Sequence, residues 1–89
     1  MKLDINDKLI KTIENRCKHF VAPGDICEIQ DISISFIEGV WYTFSIGYGS
    51  CEPNKKWYNV DITLSDRDAS IDFICGMIAQ TIFMSEVDE

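Results

Sequence analysis

From His19 to Asn54 the sequence contains no lysine or arginine, while Asp25, Glu28, Asp31, Glu38 and Glu52 all fall there. That gap excludes an ordinary nucleic-acid-binding surface, whose affinity comes from bases replacing counterions on phosphates. No apolar run is long enough to span a bilayer, and Met1-Lys2-Leu3-Asp4 leads into polar sequence without the apolar core of a signal peptide. A cytoplasmic protein without membrane contact is expected. There is no Cys-x-x-Cys pair: Cys17, Cys27, Cys51 and Cys75 stand singly. Closed zinc sites usually use two closely spaced ligand pairs, and Cys17 and His19 sit two apart, where residues of a helix diverge. Reduced, structural thiols are expected, with two disulfides as the alternative. Neither a metal nor a cofactor is expected.

Catalytic signatures are also scarce. His19 is the only histidine and has no Ser or Cys at a spacing that would make a nucleophile–base pair. Gly47-Tyr48-Gly49-Ser50 reads as a strand end and turn, not as a phosphate-binding loop. Repeats, linkers and low-complexity stretches are missing too. The chain reads as one 89-residue domain, 1–89, and not as an enzyme.

What is present is apolar and acidic. Hydrophobic residues make up 46% of the chain, enough for a packed core, and the formal net charge is −7. The charge is unevenly spread. Residues 1–18 hold five bases and three acids, whereas residues 61–89 hold seven acids and only Arg67.

Ile5, Leu9, Ile10, Ile13, Cys17 and Phe20 recur at three- and four-residue spacing, predicting a helix from Asp4 or Asn6 to about His19. Ala22-Pro23-Gly24-Asp25 ends it. Three strands follow by alternation. Ile32, Ile34 and Phe36 face inward in the first, with a break near Glu28-Ile29-Gln30 that predicts a bulge or a late start of the strand. Val40, Tyr42, Phe44, Ile46 and Tyr48 face inward in the second, and Tyr58, Val60, Ile62 and Leu64 in the third. Matching inward faces pairs Phe36 with Val40 across Ile37-Glu38-Gly39, and Ile46 with Val60 across a longer tip. Ser65 is the expected cap of a second helix reaching about Ser85, with Ile71, Ile74, Cys75, Ile78 and Ile82 as its core stripe. The predicted fold is α+β: a three-stranded antiparallel meander with two helices on one face, in the order αβββα.

Three features could carry function. Phe73, Met77 and Met84 form a second apolar stripe on the last helix, a candidate dimer or partner interface whose dull alternative is cover by other parts of the chain. The outer sheet face reads as Ser, Thr and Asn with Trp41 and Trp57 near opposite ends, a candidate docking surface or a merely solvated one. The acids Glu28, Asp31, Glu38, Glu52 and Asp61 project from strands or turns, and Asp66, Asp68 and Asp72 gather at the expected start of the second helix. Such a field attracts basic surfaces and speeds encounter with them, and its dull alternative is a solvated acidic face, with Asp66 and Asp68 as ordinary helix-start acids.

Helix–three strands–helix is also the order of the double-stranded-RNA-binding domain. That domain presents a Lys-rich start of its second helix to phosphates, and Ser65-Asp66-Arg67-Asp68 stands there instead. In size, acidity and element order the whole chain resembles small phage-encoded anti-CRISPR proteins. This resemblance implies an inhibitor that acts in a bacterial host's cytoplasm and occupies the nucleic-acid-binding surface of a basic nuclease or effector. The same profile suits an immunity protein that neutralises a nuclease toxin. The partner is then a basic nucleic-acid-binding protein, contacted by those eight acids and the two Trp. The alternative is a homodimeric adaptor module.

Overall fold

Asn6 starts the first helix, α1 (Asp7–Cys17): its backbone is extended and its side-chain oxygen accepts from the Leu9 N–H at 2.9 Å. That bond satisfies one of the donors a helix start leaves unpaired. The computed structural model describes residues 3–50 and 52–87, so the expectation for Cys51 lies outside the described residues. Leu9, Ile13 and Cys17 are the buried face of α1. The helix ends two residues early and tightens into a 3-10 turn, Lys18–Phe20. The tighter winding turns Phe20 off the stripe, and it is exposed.

The strands are β1 (Ile26–Ser35), β2 (Trp41–Gly49) and β3 (Trp57–Ser65), in the spatial order β1-β2-β3 and antiparallel throughout. Ile29 pairs with Ile46 and Asp31 with Ser45, which leaves Gln30 as the extra residue of a bulge. The bulge shifts the parity of β1. Cys27 and Ile29 face inward before it, and Ile32 and Ile34 after it. Ser35 pairs with Trp41 and Ile46 with Val60, the register expected from the alternation. Phe36 is a correction. The ladder stops at Ser35, so Phe36 belongs to the hairpin loop and is 68% exposed. In that loop both Glu38 (φ 55) and Gly39 (φ 114) take left-handed backbone, where only Gly39 was expected to.

The second helix is a further correction. Ser65 ends β3, Asp66–Asp68 form a separate 3-10 turn, and α2 spans Ile71–Val87. The Ser70 hydroxyl, not that of Ser65, accepts an N–H of the first turn, from Phe73 at 3.1 Å. Tertiary bonds explain the delay. Asp66 donates its N–H to the Val40 carbonyl at 2.8 Å and accepts from the Tyr42 hydroxyl at 2.6 Å. Both tie residue 66 to the end of the sheet, and the chain turns into a helix only beyond it.

One core joins the layers. Leu9, Ile13 and Cys17 of α1 and Ile74, Cys75, Ile78 and Ile82 of α2 pack with Tyr42, Phe44, Ile46, Tyr48, Ile62 and Leu64 of the inner sheet face. Cys17, Cys27 and Cys75, one from each of α1, β1 and α2, are free and buried. The Cys17 thiol donates toward Cys27, and burial adds to this, so Cys17 stays protonated above the usual range. Burial likewise pushes the Cys75 thiol up.

Candidate functional site

Both helices take the inner sheet face, so the outer face is bare, and its side chains can be placed row by row from the register. Asp31, Ser45 and Asp61 form one row, with the two exposed carboxylates flanking the serine. Strands lie ~4.8 Å apart, which sets these acids ~10 Å from each other along the row. The next row is Ser33, Thr43 and Thr63, whose threonine hydroxyls bond at 3.1 Å. Ser35, Trp41 and Ser65 close that end, and Glu28, Gly47 and Asn59 make a row toward the other. None of the outward strand residues is a lysine or arginine.

Trp57 lies at the end of this face opposite to Trp41. It is half-buried, its indole N–H donates to Asn59 at 3.3 Å, and it lies over the backbone of Gly47 together with Gln30. A methyl group at residue 47 would stand 2.7 Å from the Trp57 ring. Glycine within a strand, where a side chain is normally needed for packing, was the signal that another group lies across it. Trp41, by contrast, is 41% exposed.

Trp41 also walls a notch of about 540 Å³ between the β1–β2 hairpin and the turn after β3. Glu38, Asp66 and Asp68 line it, and Arg67 joins them. Asp66 is held by Tyr42. Burial first, and the bond to Asp66 second, raise the Tyr42 hydroxyl above the ordinary tyrosine range, so it remains a donor. Asp68 accepts from the Ser65 hydroxyl at 3.3 Å. An aromatic wall with carboxylates around it suits a cationic side chain, through cation–π attraction and ion pairing.

The eight acids therefore do not form one cluster. Glu28, Asp31 and Asp61 belong to the outer face, and Glu38, Asp66 and Asp68 to the notch at its Trp41 end. Glu52 sits at the opposite tip, 3.7 Å from Lys55. Asp72 is on the helical layer, paired with Arg16 of α1 at 2.7 Å.

The third candidate surface is α2. Phe73 and Met84 are 44% and 51% exposed, but Met77 is partly buried and packs on the core. Phe83, which the stripe drawn from the sequence omits, is 64% exposed. It lies about 80° around the helix from Phe73, off the line opposite the core stripe.

Among the described residues no three His, Cys, Asp or Glu side chains are grouped so as to hold a metal ion. Nor, among them, is any helix long and apolar enough to cross a membrane. His19 is exposed on the 3-10 turn after α1.

The chain matches no family model, no curated protein and no solved structure. Its surfaces must therefore be read from their own chemistry.

Proposed function

We propose that this chain is a small acidic inhibitor that lays its outer sheet face on a basic protein surface and keeps nucleic acid from it. One observation carries the reading: the strands of a whole sheet face have acids and hydroxyls but no lysine or arginine, and the face ends in a notch walled by Trp41 and lined by Glu38, Asp66 and Asp68 beside the chain's own Arg67. The target is a nuclease or effector with an arginine- or lysine-lined cleft. Asp31 and Asp61 stand in for phosphates, and the notch takes one basic side chain from the rim of the cleft. An anti-CRISPR protein and a nuclease immunity protein would both work this way, within the cytoplasm of a bacterial cell.

The test begins with tagged protein captured on a lysate of the bacterial host and washed at rising salt. Association of the captured partner is then timed by stopped flow. Asp31→Asn with Asp61→Asn should slow association at low salt and flatten its salt dependence, because steering scales with the charge removed. An on-rate that stays constant between low and physiological ionic strength rules out this mode of action.

A further inference from the structure

We propose that a second copy of this chain covers the outer face of α2, the two helices crossing at Gly76. The inference is independent of the inhibitor reading and uses the opposite side of the molecule.

From Phe73 to Ser85 the helix has no charged residue. Its inner face is the core, with Ile74, Cys75, Ile78 and Ile82 each 0–1% exposed. Its outer face is largely apolar as well, since Phe73, Phe83 and Met84 stand in solvent, with Gln80 the polar side chain among them. Helices that are apolar all round are normally buried all round. Gly76 lies between them. At about 100° per residue, Phe73, Gly76, Gln80, Phe83 and Met84 share an arc of about 100°.

Nothing among the described residues accounts for that glycine. A methyl group at residue 76 would meet no described side chain and no other element's backbone within 4 Å, and its own backbone is ordinary helix, without a positive φ. Glycine is among the poorest helix formers, so an unconstrained mid-helix position should hold something else. A backbone approaching from outside supplies the reason, because the missing side chain lets two helices come close.

Charge selects the occupant. A membrane surface calls for lysine or arginine beside the apolar face, and α2 has neither. A basic partner would need carboxylates there, and between Phe73 and Met84 the helix has none, while Asp72, at the edge of this face, is paired with Arg16. A second copy brings a face that is neutral, apolar and of the same shape. It also brings matching relief, because in an antiparallel crossing the phenyl rings either side of one glycine straddle the glycine of the other helix. One helix pair is a small contact, in the size class of weak and transient encounters.

Sedimentation velocity across the micromolar range, on the full chain, should show a concentration-dependent monomer–dimer equilibrium. Gly76→Leu should leave the monomer folded, since the space is open, and weaken the dimer at least ~10-fold, which is about 1.4 kcal/mol. Phe83→Glu should do the same from a second position, with circular dichroism confirming the fold in each. A wild-type chain that stays monomeric throughout the range overturns the proposal. So does a dimer whose dissociation constant is unmoved by both substitutions, which would place the interface on another face.

Discussion

Tyr42 works at both of its ends. Its ring is fully buried in the core, and its hydroxyl holds Asp66 at the rim of the notch. Because the folded state favours the neutral phenol, its contribution to stability is complete below the ordinary tyrosine value of about 10 and is lost as pH rises through the higher folded value. Tyr42→Phe should therefore cost about 1–3 kcal/mol at neutral pH, by loss of the hydrogen bond. The variant should also show a shallower alkaline fall in stability, as urea denaturation at a series of pH values would read out. At the same scale Gly49 marks a fixed requirement of the β2–β3 tip, since it has φ 129 and a side chain there would run into the Lys56 carbonyl. Gly76 has no such requirement, and that contrast separates a glycine the fold needs from one it does not.

Among the elements, parity made the sheet readable in advance. Two strands with clean alternation cannot slip by one residue if both apolar faces are to be buried, so inward residues had to face inward residues, as Ile46 does Val60, and the break at Glu28-Ile29-Gln30 became the bulge at Gln30. Alternation cannot report where the cover over a strand stops, and so Phe36 read as core although it lies beyond the ladder. The start of α2 was hidden for another reason. Ser65-Asp66-Arg67-Asp68 has the composition of a helix start, and only the contacts of Asp66 with Tyr42 and Val40 show that it serves the sheet. Ser70→Ala should accordingly lower stability by about 1 kcal/mol, as loss of a helix cap does. Ser65→Ala should stay within about 0.5 kcal/mol of the natural chain. Thermal denaturation of the pair decides between them. Of the candidate site, the outward hydroxyls and acids of the strands were legible for the same reason as the register. The notch was not, because it joins a hairpin to a turn some 25 residues later.

For the molecule as a whole, the two layers divide the chemistry. Acids and hydroxyls occupy the open side of the sheet, and the uncharged apolar surface lies on the far side of the helices. The proposed partner binding and the proposed self-association are then compatible, and each is expected to be abolished without the other. The division also makes the total charge of −7 a poor guide to binding. Glu52→Gln and Asp72→Asn each remove as much charge as Asp31→Asn, yet their carboxylates lie off the proposed docking face beside Lys55 and Arg16. Stopped-flow rates should fall with Asp31→Asn and Asp61→Asn and change little with the other two. Equal losses from all four would mean that only the net charge matters.

The two indoles sit in unlike surroundings at opposite ends of the outer face. Trp41 is open to water beside the notch, while Trp57 lies flat on the strand with its N–H engaged. The protein thus has two built-in optical probes of different colour, since a hydrated indole emits further to the red than a covered one. Trp57→Phe would leave a chain whose fluorescence reports occupancy of the notch, and Trp41→Phe one that reports the tip. Titrating each against the same partner would map which end is covered first, without any attached label.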